Sequence, residues 1–508
     1  MTKTISFTAL MILQSLTTPS FSQNTVRSFI TDSIDNYVVK ALHDWNIPGA
    51  AVCIVKDSQV VLLKGYGVKQ MNTNDSVDEN TLFMIASNSK AFTAAALAVL
   101  DYEKKLSLDD KVTKWLPEFK MENKLASEQA IIRDLLCHRL GFAEFQGDFA
   151  NWKSNLSRAE VIANMSHIKA AYPFRTTFGY NNQGFVTAGQ IIPKVTGLQW
   201  EEYLKQKIFE PLGMTRTLAL VKGLRNATNK AVAHTIVDGK LITVPYANVD
   251  NLAPAGTIST SVNDFSKWVI MLLNQGKYNE KEVIPAEAIE ATQTPHSIIG
   301  NYTPWFNSGQ FELYGLGWFL RDYEGKKIVF HHGLITGFNS SVTLIPEEKL
   351  GVVVFTNTDE NILWAALRWE IVDAFLKLPF RNYSQVFLSL YTKNKTQRDS
   401  LENQLNDSVA LHLKPSLPLQ SYTGKYFCDV YGNMEIMPDE GMLKMKFSHH
   451  PNLYAVLQSV GGNRFYAIFS NPDFGRAVFP FKVEKGKVKS LTVKVSGEET
   501  PYEFIKQH

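Results

Sequence analysis

Phe83-Met84-Ile85-Ala86-Ser87-Asn88-Ser89-Lys90-Ala91-Phe92-Thr93-Ala94-Ala95-Ala96-Leu97-Ala98-Val99-Leu100 is the stretch on which the reading of this chain turns. Residues 87–100 hold several alanines and neither proline nor glycine, which predicts a helix buried on most sides. Its first four residues form the pattern Ser-x-x-Lys. Three residues apart on a helix, two side chains share a face and can touch. A serine hydroxyl alone is a poor nucleophile and needs a base beside it. Lysine is a base only when neutral, and desolvation and the positive end of a helix dipole both lower its pKa. The free backbone N–H groups at the same helix start suit an oxyanion. Ser87 therefore reads as nucleophile and Lys90 as its base. Spacing alone does not choose this pair, because Ser166-His167-Ile168-Lys169 repeats it.

Upstream, residues 24–46 have helical apolar spacing, and the apolar runs 50–55 and 60–65 flank a turn at Lys56-Asp57-Ser58, which suggests a hairpin. Downstream, residues 105–300 read as mostly helical. Strand-like runs then appear at 314–321, 327–331, 338–345 and 351–357, and a helix at 362–378. Composition changes after about residue 383, where polar and charged residues lead to Lys414-Pro415-Ser416-Leu417-Pro418, a linker signal. From Tyr422 onward short alternating runs predict a separate small β domain, a barrel or half-barrel.

The N-terminus reads as a signal peptide. Lys3 precedes a mostly apolar stretch at 5–16, and Ser20 and Ser22 suit a cut after Ser22. The stretch is far short of the ~20 residues of a spanning helix. A periplasmic or secreted protein is expected, with no transmembrane segment after signal removal. A net charge of +3 over 508 residues gives no reason to invoke nucleic acid or a membrane surface. Cys53, Cys137 and Cys428 are too few and too widely spaced for a disulfide scaffold or zinc site; one bridge is possible, its pairing open. Cys137-His138 reads as a helix end packed in the core rather than as a reactive pair.

Order and context choose Ser87. Ile47-Pro48-Gly49-Ala50 with Gly65-Tyr66-Gly67, the segment from Phe83 to Lys90, Leu135-Leu136-Cys137-His138-Arg139-Leu140-Gly141, Glu210-Pro211-Leu212-Gly213-Met214 and Ala255-Gly256-Thr257-Ile258-Ser259-Thr260 follow one another. In that order they resemble the serine β-lactamase and penicillin-binding-protein family: class C β-lactamases, D-aminopeptidases, D-Ala-D-Ala carboxypeptidases and related esterases. The resemblance covers about residues 40 to 375. It implies an α+β fold, with an antiparallel sheet flanked by helices and a helical subdomain, followed here by the small all-β domain. The expected organisation is signal peptide 1–22, hydrolase domain 23–383, linker 384–418 and β-rich domain 419–508.

The family's Tyr-x-Asn motif is matched by Tyr180-Asn181-Asn182, after Phe178-Gly179. Tyr246-Ala247-Asn248 and Tyr431-Gly432-Asn433 match the letters without the context. By resemblance Tyr180 hydrogen-bonds the Ser87–Lys90 pair and passes protons, which requires a phenol pKa lowered by a neighbouring lysinium. Asn182 is expected to hold the substrate amide. The family's Lys-Thr-Gly is absent. His331-His332-Gly333 stands in its place, and the resemblance implies that His331 replaces the lysine, that Gly333 lets the substrate backbone approach, and that the N–H of Leu334 joins that of Ser87 in an oxyanion hole. Leu334 is bulkier than the residue common there. Lysine is a permanent cation, whereas histidine near neutral pH is mostly uncharged. The chemistry expected is therefore that of a peptidase or esterase acting through an acyl-enzyme on an amide or ester, with a D-amino-acid or peptidoglycan-type peptide favoured. The substrate partner is a small molecule or peptide; neither metal nor cofactor is expected, since the paired histidines have no third ligand at suggestive spacing. A β-lactamase and an inactive binding protein of the same fold are the alternatives. No Gly-x-Ser-x-Gly exists to support an α/β-hydrolase. The C-terminal domain is expected either to shape the active-site mouth or to serve as a stability or interaction module.

Overall fold

The computed structural model describes residues 29–301, 309–495 and 500–507; the expected signal peptide lies outside them. Helix α1 (Ile34–Asp44) leads into strands β1 (Gly49–Lys56) and β2 (Gln59–Gly67). These pair as the expected hairpin. Its two-residue loop, Asp57-Ser58, has φ of 51° and 65°, and positive φ at both positions matches the twist of a hairpin. Six later strands complete the sheet: β3 (Ser297–Asn301), β4 (Phe311–Tyr314), β5 (Phe319–Tyr323), β6 (Lys326–Ile335), β7 (Phe338–Ile345) and β8 (Leu350–Thr356). The order is β2-β1-β8-β7-β6-β5-β4-β3, antiparallel throughout. The run read as one strand at 314–321 is two, broken at residues 315–318. Gly317 there has φ of 73° and sits so close to the Lys90 carbonyl that a Cβ would lie 2.7 Å from it.

The central strands are apolar on both faces because both are covered. Ala51, Cys53 and Val55 of β1 join one core cluster, and Ala50, Val52 and Ile54 join the other. Helices α2 (Ser89–Tyr102), α5 (Asn182–Thr196) and α6 (Val262–Leu273) belong to the first cluster. The second is covered by α1 and α7 (Leu363–Phe375). Between α2 and α5 lie the short helices α3 (Ile132–Leu136) and α4 (Asp148–Asn151). Every residue of α2 from Ser89 to Leu100 is buried, which explains its unbroken apolar composition. Ser87 is not on that helix. It sits in a 3-10 turn, Ala86–Asn88, immediately before it.

The segment expected to be a linker is mostly helix: α8 spans Tyr383–Ala410. Its first turns are anchored, with Trp45 Nε1 donating to Ser384 Oγ at 3.0 Å and the Trp45 ring packed at a tilt against Tyr391, centroids 5.4 Å apart. The rest is largely exposed, so it lacks the apolar stripe by which a helix is recognised in sequence. Beyond it, eight strands close into an antiparallel barrel: β9 (Gly424–Cys428), β10 (Gly432–Asp439), β11 (Met442–Phe447), β12 (Tyr454–Ser459), β13 (Arg464–Phe469), β14 (Arg476–Glu484), β15 (Lys487–Val493) and β16 (Tyr502–Lys506). Alternate residues point inward, for example Leu443, Met445 and Phe447, while Lys444 and Lys446 do not. Aromatic contacts such as Tyr422–Phe481 and Phe465–Phe481 fill the interior. All three cysteines are buried and none is in a disulfide. Among the described residues no helix is long and apolar enough to cross a membrane.

Candidate active site

Three short structures hold the Ser87 turn. Ile85 N donates to Ile258 O at 2.9 Å, extending the pairing of Phe83–Met84 with Ser259–Thr260. Ser340 Oγ of β7 donates to Ile85 O and accepts from Asn88 Nδ2, both at 2.7 Å. Ser89 Oγ donates to Ala86 O and accepts from Ile258 N. Ala86, with φ of 46°, is a non-glycine residue in the left-handed region directly before the nucleophile candidate.

Lys90, in the first turn of α2, is buried, and its Nζ has three partners. Ser87 Oγ lies at 3.1 Å, Asn182 Oδ1 at 2.6 Å and Ala255 O at 2.9 Å. The last two can only accept. A neutral amine spends its two N–H bonds on them and turns its lone pair to the one partner with a proton to give, the Ser87 hydroxyl. Desolvation pushes the Lys90 pKa down to about 7, against the favourable charge of Asp148. Asp148 sets the amide of Asn182: its carboxylate accepts from Asn182 N and, at 2.8 Å, from Nδ2, which leaves Oδ1 facing Lys90. Burial pushes the Asp148 carboxyl up, opposed by those donors and by Lys90. Burial thus drives both members of the pair toward their neutral forms.

Tyr180 completes the cluster. Its hydroxyl hydrogen-bonds Ser87, and its ring lies 4.7 Å from Lys90 Nζ. Its pKa is raised, not lowered as the resemblance implied, because burial outweighs the opposing effect of its hydrogen bond with Ser87. Tyr180 is a phenol with its proton in place, and Lys90 is the group fit to be the base.

His331 is buried, and both its ring nitrogens are engaged. Nδ1 contacts His332 O at 2.7 Å, and Nε2 contacts Tyr314 OH at 3.1 Å. Tyr314 OH also meets His138 Nε2 at 3.3 Å, and His138 Nδ1 accepts from Asn181 N at 3.1 Å. The ends fix the direction. A backbone N–H only donates, so His138 carries its proton on Nε2; a carbonyl only accepts, so His331 carries its proton on Nδ1. His138 therefore donates to Tyr314, and Tyr314 donates to His331. Burial, with the positive charge of Lys90 nearby, holds both imidazoles well below the usual histidine value. Cys137 and His138 are a helix end packed in the core, as expected, and Cys137 is inert, burial pushing its thiol up to about 11; His138 adds the link to Tyr314.

Gly333 packs on the Ser87 turn: a Cβ there would lie 2.9 Å from Ser87 N and 2.2 Å from Ile85 O. The β6 residues 331–335 pair with β7, whereas β5 reaches only to Phe330, so one strand edge is open beside Ser87. Leu334 on that edge is 60% exposed. The residues expected at the site therefore converge. Asn182, expected to meet substrate, spends its amide on Lys90 and Asp148. Asp148, His138 and Tyr314 were missed, since none lies in a spaced motif with its partner. The competing patterns separate. Ser166 Oγ donates to Ala163 O and Lys169 is exposed; Tyr246 OH donates to Ala231 O; Tyr431 packs in the barrel against Tyr502.

The family model described as Beta-lactamase matches residues 34–374, and that described as Domain of unknown function (DUF3471) matches residues 410–506. An unguisins hydrolase of Aspergillus campestris is 28% identical over 431 residues, covering 79% of this chain and 77% of its own. Protein flp of Staphylococcus aureus is 28% identical over 335 residues, covering 65% and 63%. Among solved structures, the octameric penicillin-binding protein homologue from Pyrococcus abyssi superposes with a TM-score of 0.62 at 22% identity, covering 93% of this chain and 99% of that one. The fold, the order of the motifs and the match over most of the chain agree: this protein belongs to the beta-lactamase family of serine hydrolases.

Proposed function

We propose that the protein is an exported serine hydrolase that cleaves an amide or ester through an acyl-enzyme on Ser87, as a peptidase or esterase. The observation that carries this reading is the trio of partners at Lys90 Nζ, two of which are pure acceptors. Ser87 gives its proton to Lys90 as it attacks the carbonyl carbon. The oxyanion is held by the N–H groups of Ser87 and Leu334. Tyr180 gives its proton to the leaving nitrogen or oxygen and is reprotonated from Lys90. Water then attacks the acyl-enzyme, its proton going back through Lys90, and the acid product leaves with Ser87 restored.

The neutral, fully engaged His331 favours an acyl donor that needs no cation at that position, which argues for peptides and esters over β-lactams with their free carboxylate. A D-amino-acid or peptidoglycan-type peptide is the preferred substrate class. The relative named as a hydrolase of unguisins supports hydrolysis over binding alone. Export rests on the sequence of residues 3–22. The test is one panel on wild type and Ser87→Ala: fluorophosphonate labelling, short-chain p-nitrophenyl esters, D-aminoacyl amides and a chromogenic cephalosporin. Ser87-dependent turnover of the esters or amides is expected. Cephalosporin turned over fastest would make this a β-lactamase, and no adduct on Ser87 would end the enzyme reading.

A further inference from the structure

The C-terminal barrel sends one loop toward the catalytic domain, between β13 and β14. Pro472–Phe474 forms a 3-10 turn whose start is capped by Asn471, the side chain accepting from Asp473 N at 3.1 Å. Phe474 is buried and meets Phe149 of α4 edge-on, with ring centroids 5.7 Å apart. This anchoring aims the Asp473 carboxylate at the catalytic domain. Its Oδ2 accepts from Thr336 Oγ1 at 2.5 Å, from Trp152 Nε1 at 3.0 Å and from Lys153 Nζ at 2.6 Å.

The donors come from two sides of the active site. Thr336 is in the two-residue loop between β6 and β7, two positions beyond Leu334. Trp152 and Lys153 directly follow α4, whose Asp148 orients Asn182. The barrel grips the same segment again, with Asn155 N donating to His449 O and His450 Nε2 contacting Trp152 O. Hydrogen bonds to an ionised carboxylate are among the stronger ones, and this set is only partly exposed.

We propose that Asp473 is a positioning residue for the active site, holding the β6–β7 turn and the α4 segment at one spacing and so fixing Leu334 against Ser87 and Asn182 against Lys90. The inference rests on the Ser87 reading and adds to it a catalytic reason for the second domain. A misplacement of ~1 Å in such a site costs about 10²-fold in rate.

The test uses the full-length protein and the variants Asp473→Ala, Thr336→Val, Thr336→Ser and Asp473→Ala/Thr336→Val. Fluorophosphonate labelling locates the nucleophile in wild type, and ester hydrolysis and thermal melting follow for each variant. The expected result is a kcat about ten- to a hundredfold lower in Asp473→Ala, with KM little changed, at temperatures well below its melting point. Thr336→Val should fall in the same direction, Thr336→Ser should retain activity, and the double variant should be no worse than Asp473→Ala. Labelled Ser87 with wild-type kcat in both Asp473→Ala and Thr336→Val would leave the site reading standing and overturn the positioning role. Absence of label on wild-type Ser87 would overturn both.

Discussion

Replacing Gly333 by alanine tests the packing on which the site depends. The added methyl would lie 2.2 Å from Ile85 O, 2.6 Å from Ser340 Oγ and 2.9 Å from Ser87 N. Ordinary contact begins near 3.4 Å, so the Ile85 carbonyl must retreat by about 1 Å or β6 must lift by as much. Neither movement is free. Ile85 O accepts from Ser340 Oγ and from Asn88 N, and Ser87 lies between Ile85 and Asn88 in the turn. The displacement therefore falls on Ser87 and on the strand edge that carries Leu334. A shift of that size predicts a loss of about 10²-fold in kcat/KM, or roughly 2.7 kcal/mol of transition-state stabilisation. Overpacking should cost about 1–3 kcal/mol of stability as well. Steady-state ester hydrolysis and the rate of fluorophosphonate labelling measure the first loss, and a thermal melt measures the second. A Gly333→Ala protein that matches wild type in all of them would refute both the close approach and the role given to it.

Three further outcomes are expected. Lys90→Met keeps an apolar stem and loses the base, so Ser87 acylation should slow by about 10²–10⁴-fold; an unchanged labelling rate would assign the base elsewhere. Because Lys90 must be neutral to accept the Ser87 proton, and burial sets its pKa near 7, kcat/KM should rise with pH through about 7 and level off above it, and a limb that falls over that range would contradict the assignment. Tyr314→Phe strips the partner from His138 Nε2–H and from His331 Nε2. At about 1–3 kcal/mol for each buried group left unpaired, it should lower the melting temperature by several degrees. An unaltered melt would mean that the hydroxyl links nothing.

Ser87, Lys90 and Tyr180 were legible because each belongs to a motif of short spacing in a familiar order. Burial decided what spacing could not: Lys90 is enclosed, whereas Lys169, in the same pattern, is exposed. His138 and Tyr314 are 176 positions apart, and only the sheet brings the end of β4 to the end of α3. Asp148 has no signature of its own; it is recognised by what it holds. The α8 helix was read as a linker because an exposed helix need not alternate apolar and polar residues at any period. The mistaken expectation for Tyr180 had another cause: the charge of a neighbour can be guessed from sequence, but the extent of burial that opposes it cannot.

The buried imidazoles give the molecule a lower limit of pH. Burial depresses the pKa of six of its eleven histidines: His138, His234, His296, His331, His332 and His450. An unfolded chain takes up protons at these rings near the ordinary histidine value of about 6.5, and the folded chain resists doing so. Each ring therefore adds stability that is complete above that value and is withdrawn as the pH falls below it. In the His138–Tyr314–His331 chain the loss is also cooperative, since a proton arriving on either imidazole turns an acceptor into a donor and sets two donors face to face. Acidification should first lower activity by protonating Lys90 and then end it by unmaking the architecture around Ser87, so a preparation taken through mild acid should be judged by its refolding as well as by its titration.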